Sequence, residues 1–338
     1  MASVVPVESV VQRDAPDAAT WFPRHIQIPV PELAFAFIYG LVGLALSFAS
    51  GLPIGYPTPA SLAFTGMSYL VPLLLVVGVL LVAVLMRQIG RAAYFLTAII
   101  AYGVVLVIHF NIKLWAWHIN PRLWDAEYAS VDRALQPVID GSLAFHNILS
   151  SMSGSVDRLY LFAFLAMFAC SIIAHSMRAF IVLRKVVLTS MLVHVLGGLS
   201  YLIAPALGPF LTETGVNLLE TKRQVFMLAA HKASLAGGVD WFVANGSEFL
   251  ATGLAAMPSL HVASSAVFVY FAWIYERRLC WLYFPLFGFI IIEALATRWH
   301  YLVDIAAGLV LTAIAVALVE RVMRPWLASD QRFVYRMR

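Results

Sequence analysis

The chain has 338 residues, 62% of them hydrophobic and 12% charged, with a formal net charge of +4. Soluble domains run near 45–50% apolar and about 25% charged, so this length is spent on membrane spans rather than on soluble domains. The basic residues cluster in short loops, which argues against a nucleic-acid surface, and the two cysteines, Cys170 and Cys280, lie in or beside apolar segments and imply no disulfide framework.

Residues 1–32 carry charges and prolines but no apolar core, so no cleavable signal peptide is expected there. They read as a cytoplasmic tail, with a possible interfacial piece at 21–30. Stretches long enough to cross a bilayer follow at 33–50, 68–86, 92–110, 159–178, 185–204, 259–276, 280–297 and 301–323. The seventh is the shortest and contains Pro285 and Glu293. No ten-residue alternation suggests a barrel, so the expectation is an all-α bundle of eight transmembrane helices. No internal repeat points to an inverted-repeat transporter.

The loops set an orientation. Arg87 and Arg91, then Arg178, Arg184 and Lys185, then Arg277 and Arg278, then the tail from Arg321 to Arg338 all fall on one side of an eight-span chain. By the positive-inside rule that side, with both termini, is cytoplasmic. Two long loops lie on the other side. Residues 123–150 set Leu123, Trp124, Tyr128, Val131 and Leu135 against Asp125, Glu127, Asp132 and Arg133; residues 216–236 set Lys222, Arg223 and Lys232 among leucines and alanines. Both read as amphipathic helices in the membrane interface, either covering the bundle or gating a substrate. The division expected is a tail at 1–32, two additional spans at 33–91, a six-helix core at 92–323 and a basic cytoplasmic tail at 324–338.

The polar residues gather on the outer side. His300 and Asp304 stand four residues apart at the start of the last span, a spacing that puts both on one helical face. A carboxylate there can hold the imidazole Nδ1 proton and leave Nε2 free to attack. Ionisable groups at a membrane-helix mouth are candidates for function. Span 5 ends outside in Pro205-Ala206-Leu207-Gly208-Pro209, and span 6 begins outside at Pro258-Ser259-Leu260-His261. Three remote stretches thus reach one membrane face, within reach of a lipid headgroup.

The order Pro-Ala-Leu-Gly-Pro, Pro-Ser-Leu-His, His-Tyr-x-x-Asp resembles the type 2 phosphatidic acid phosphatase superfamily. Within it the likeness is to the branch that includes fungal inositol phosphorylceramide synthases, which Asn120-Pro121 with Asp125 and Asp132 also resembles. The resemblance implies that His300 attacks phosphorus and forms a phosphohistidine, with Asp304 holding its tautomer. His261 would protonate the leaving oxygen and then serve as base for the acceptor hydroxyl. Ser259 and backbone N–H groups at the helix start would bind non-bridging oxygens. Two departures stand out. The family's Ser-Arg-x5-His-x3-Asp has Glu293 and Ala294 at its first two positions, so Arg298 would take the arginine's place. Its Lys-x6-Arg-Pro motif is absent, leaving Lys222, Arg223, Lys113 or Arg122 to supply phosphate-binding charge.

Other readings stay open. His300 with Asp304 could be a structural pair, or two ligands of a zinc or manganese site short of its remaining ligands. Ser259 could be a plain N-cap, and Arg298 could snorkel to the headgroups. Glu293 could partner Arg298, bind an acceptor or make a contact between spans, whereas His175 and His194 read as interhelical contacts. The expectation is a metal- and cofactor-independent lipid phosphotransferase, taking a phospholipid donor and an alcohol or lipid acceptor, with phosphoinositol among the groups it could carry. The alternatives are a lipid phosphatase acting on phosphatidic acid or a polyprenyl (di)phosphate, and a non-catalytic lipid-binding or transport protein. The composition suggests a bacterial inner membrane, with the site facing outward.

Overall fold

A computed structural model describes residues 31–64, 89–153, 156–176 and 180–329, with isolated positions between 77 and 85. Most of the segment expected at 68–86, the piece at 21–30 and the tail beyond residue 329 lie outside the described residues. The regular elements are helices: α1 (Pro31–Ser50), α2 (Pro59–Phe64), α3 (Ile89–Ile119), α4 (Asp125–Ala134), α5 (Gln136–Met152), α6 (Val156–Ser176), α7 (Phe180–Ile203), α8 (Leu218–Asn245), α9 (Leu260–Tyr275), α10 (Cys280–Ala296) and α11 (Leu302–Ser329). Short 3-10 turns stand at Pro209–Leu211, Leu250–Thr252 and Arg277–Leu279.

Six helical stretches among the described residues are long and apolar enough to cross a membrane: Pro31–Ser50, Ala93–Ile119, Arg158–His175, Ile181–Ile203, Arg277–Ala296 and Leu302–Met323. The segment expected as a span at 259–276 is a shorter apolar helix: α9 has 16 residues, about 24 Å at ~1.5 Å per residue, against a hydrocarbon layer of ~30 Å. It is enclosed by other helices. α6, α7, α10 and α11 pack around it, and Val262, Ala263, Val267, Phe268, Phe271 and Ala272 are all fully buried. Because α9 is short and central, its first turn starts inside protein, with Ser259 completely inaccessible.

Polar groups concentrate at the two ends of this bundle. Toward one end, Arg184 Nε donates to Glu32 Oε1 at 3.0 Å and Tyr94 donates to the same oxygen at 2.7 Å. Lys185 pairs with Glu320 and donates to the Tyr275 hydroxyl. These contacts correct the assignment of Arg184 and Lys185 to a loop. Both lie within α7 and are buried, because each meets a carboxylate from a neighbouring helix and so carries no bare charge into the bundle.

The connections at the other end are helical too. The stretch expected at 123–150 is two helices, α4 and α5, and that at 216–236 runs on to Asn245 as α8, kinked at Gly238, where φ is 53°. α4 buries Tyr128 and Asp132 and exposes Val131 and Leu135 together with Glu127 and Arg133. α5 buries Ile139, Ser142 and His146 and exposes Val138, Phe145, Ile148 and Met152. Both helices thus bury polar side chains against the bundle and leave apolar ones on their outer surface, which suits an interfacial helix.

Candidate active site

Backbone hydrogen bonds join the three remote motifs. The Ser259 N–H donates to the Asp304 carbonyl at 3.0 Å, Ala256 N–H to the Ala206 carbonyl at 2.7 Å, and Phe210 N–H to the Arg298 carbonyl at 3.0 Å. Close backbone approach makes this possible. A Cβ on Gly308 would stand 2.7 Å from the Ser259 carbonyl oxygen, and one on Gly253 would stand 2.7 Å from the Leu114 amide nitrogen. The stretches 205–210, 256–261 and 298–304 therefore form one connected platform.

His300 does not share a helical turn with Asp304, which corrects the spacing argument. It lies in the connection before α11, and Asp304 is the third residue of that helix. The Asp304 carboxylate accepts the Tyr301 N–H at 2.8 Å, the reach-back of a capping box. Its other partner is His300 Nδ1, at 3.4 Å from Oδ2. The nearer acceptor for that nitrogen is the Ala256 carbonyl, at 2.9 Å. The carbonyl on the α9 side thus fixes the His300 tautomer at least as firmly as the carboxylate does. Asp304 Oδ1 is buried with no hydrogen-bond partner among the described residues.

The connection that carries His300 is bent by Arg298, which adopts φ 56° at the end of α10. A non-glycine residue there is unfavourable by roughly 1–2 kcal/mol, and such outliers cluster at functional sites. The bend brings the His300 N–H to the Ala294 carbonyl at 3.2 Å. Arg298 does not snorkel; it is 1% exposed. Its Nη2 donates to Asp132 at 3.0 Å and lies 2.9 Å from Glu213, while Nε and Nη1 have no hydrogen-bond partner among the described residues. Ser259 Oγ is likewise buried and unpartnered, and makes no side-chain cap. Each such group left dry is unfavourable by roughly 1–3 kcal/mol, and these three donors, without a protein partner among the described residues, can bond an acceptor-rich group.

His261 lies in the first turn of α9. Its Nδ1 is 3.3 Å from the Tyr160 hydroxyl, and its ring meets Tyr160 and Phe164 edge-on at 5.3 and 4.9 Å. The two imidazoles are near enough to feel each other's charge, and Lys113 is near enough to act on His261.

The remaining sequence candidates separate. Lys222 is exposed, Arg223 is bound to Glu220, and Arg122 stacks over Trp124 at 4.1 Å. Lys113 stands 5.7 Å from the centre of the Tyr201 ring. Glu293 does not partner Arg298. It accepts from His146 Nδ1 at 2.8 Å, tying α10 to α5, and His146 Nε2 lies 3.0 Å from the Ser150 hydroxyl. His194 accepts from His109 Nδ1 through its carbonyl at 2.9 Å, whereas His175 Nδ1 bonds within its own helix to Ser171 at 2.7 Å. Among the described residues no group of three His, Cys, Asp or Glu side chains converges on a metal position.

The residues undervalued by sequence are on α4 and α8. Asp125 accepts from the Leu207 and Gly208 N–H groups, at 3.0 and 2.8 Å, and from the Tyr301 hydroxyl at 3.0 Å. Asp132 holds both Arg298 and the Leu302 N–H, the latter at 2.9 Å. Burial, then the charge of Asp304, pushes the Tyr128 phenol between them up to about 12, so it stays protonated. From α8, Glu220 accepts the Trp299 indole N–H at 2.8 Å and Gln224 donates to the Thr297 carbonyl at 2.7 Å. The spacing of Asp125, Tyr128 and Asp132 at i, i+3 and i+7 was the available signal.

Comparison with the curated proteins and with the solved structures returned no match. A family model described as the PAP2 superfamily matches residues 129–318. That match covers more than half of the chain and all three motifs of the platform, so the chain belongs to the PAP2 superfamily, whose membership supports a lipid phosphatase- or phosphotransferase-type enzyme.

Proposed function

We propose that the protein is a lipid phosphotransferase that moves a phospho-headgroup, phosphoinositol among the candidates, through a phosphohistidine on His300. The observation that carries this reading is the meeting of two histidine-bearing segments around unpartnered donors. With its Nδ1 proton on the Ala256 carbonyl, His300 keeps a lone pair on Nε2 for in-line attack. The phosphorus–oxygen bond to the leaving group breaks as the phosphorus–nitrogen bond forms. His261 gives its proton to the leaving alkoxide, then takes one from the acceptor hydroxyl as that oxygen displaces His300. Arg298 Nε and Nη1, with Ser259 Oγ, offer donors to the non-bridging oxygens. Transfer of this kind is mostly positioning and electrostatics, and Lys113 is better placed to add charge than Lys222 or Arg223.

Seclusion favours transfer over hydrolysis. His300 is 8% exposed, and Trp299 and Phe210 pack with Met227, Leu254 and Leu207 in an apolar cluster beside it. Such a cover disfavours water as acceptor. If water enters, the same chemistry is that of a phosphatase. In this reading the chain has eight spans, with both termini in the cytoplasm of a bacterial-type cell and the site open to the outer leaflet. Helices α4 and α5 lie at that interface. The test is purified protein with a panel of phospholipid donors, scored for both free phosphate and new phospholipid. New lipid on addition of an alcohol, lost in His300→Ala, supports transfer; phosphate alone makes the protein a phosphatase; neither product from any donor leaves a lipid-binding role.

A further inference from the structure

We infer that Tyr160 is a positioning residue that sets the tautomer of His261, making it the proton-carrying partner of the pair. This deepens the proposed function and rests on it. Tyr160 on α6 is 3% exposed, and the one polar contact of its hydroxyl among the described residues is His261 Nδ1, at 3.3 Å. That contact has two possible polarities. If Nδ1 carried the proton and donated to the phenol oxygen, the phenol's own hydrogen would be buried with no acceptor, unfavourable by roughly 1–3 kcal/mol. If the phenol donates, both groups are satisfied, Nδ1 is the acceptor, and the neutral ring carries its proton on Nε2. Phe164 and Tyr160, both edge-on to the ring, hold its plane.

His300 is set the other way. Its Nδ1 faces a carbonyl, which can only accept, so its proton sits there and Nε2 is bare. Two neutral imidazoles therefore present different groups to a phosphorus, one a lone pair and the other an N–H. The lone pair forms the bond to phosphorus as the bond to the leaving oxygen breaks; the N–H hydrogen-bonds that oxygen and passes it the proton, and the imidazolate so formed takes a proton back from the acceptor hydroxyl. The division needs no charged histidine at the outset, which suits two rings close enough to repel if both were protonated.

The direct test is the nitrogen NMR spectrum of the full chain, 15N-labelled at histidine, in detergent micelles at alkaline pH, with His261 assigned from its loss in His261→Gln. The expected result is a pyridine-like Nδ1 and a protonated Nε2 on His261; the reverse assignment overturns the inference. Tyr160→Phe keeps the ring packing and removes the donor. It should lower turnover of an alkyl phosphate lipid relative to a nitrophenyl phosphate, whose leaving oxygen needs no proton, shifting the ratio about 10-fold, part of the 10²–10⁴ that general acids supply. An unchanged ratio would show a merely structural tyrosine. Full activity in His300→Ala would instead break the underlying reading, and the spectrum would still report the His261 tautomer.

Discussion

Both ends of the bundle bury charge, and they treat it differently. At the end marked by Arg184 and Lys185, each cation meets a carboxylate directly, Glu32 or Glu320. At the end marked by Arg298, the cation is also held by carboxylates, but through one nitrogen, and its Nε and Nη1, like Ser259 Oγ, have no hydrogen-bond partner among the described residues. The first arrangement pairs both cations and holds helices together, with one acceptor, Glu32 Oε2, unpartnered among the described residues. The second leaves three donors unpartnered, on the same segments that carry the two histidines. Charge alone does not mark a site in a membrane bundle; unpaired donors gathered on the histidine-bearing segments do.

Substitutions should separate the two ends, with the largest losses of activity at the unfinished one. His300→Ala should abolish turnover, by roughly 10³-fold or more, and His261→Ala should follow within the 10²–10⁴-fold range of a general acid. Measured on the same lipid phosphate, residual activity near wild type in either would erase the distinction. Arg298→Ala should reduce turnover by about 10- to 100-fold, the worth of a charge-assisted bond. Asp132→Asn, which loosens Arg298 without removing it, should sit between that variant and wild type. Arg184→Met should do the opposite. Unpairing Glu32 should destabilise the fold by about 3–5 kcal/mol, seen as a lower melting temperature, while turnover per folded molecule is unchanged. Chelators should leave turnover unaltered; inhibition reversed by zinc would point to a metal site in place of the phosphohistidine.

The smallest expected effect concerns α8, which lies against the platform. Burial, then the charge of His118, lowers His231 from its ordinary 6.5 to about 4. The unfolded chain therefore takes up a proton there before the folded one does, and stability contributed by neutral His231 is lost as pH falls from 6.5 toward 4. The melting temperature should drop over that window by more in the native protein than in His231→Gln. Parallel curves would show that burial of this ring does not couple to folding.

Six of the apolar helices and the three motifs were legible because apolar length and residue order survive in one dimension. The roles of Asp125 and Asp132 were not. The alternation of α4 marked an interfacial helix, but not that these two carboxylates reach across to Tyr301 and Arg298. Nor does spacing reveal the His300 turn. Four residues suggested one helical face, yet the chain leaves α10 through a left-handed Arg298 and enters α11 only at Leu302. What Nδ1 meets is then a carbonyl 44 positions upstream. For Glu293, of the readings left open, the contact between helices is the one seen, and its partner, His146, lies 147 positions away on α5.

The central claim is that phosphorus passes through His300. Rapid quenching of purified protein turning over a 32P-labelled phospholipid tests it most directly. The account predicts label on the chain that survives alkali, is released by acid, maps to His300 and disappears in His300→Ala. Turnover without such a label, or label on another residue, would contradict it.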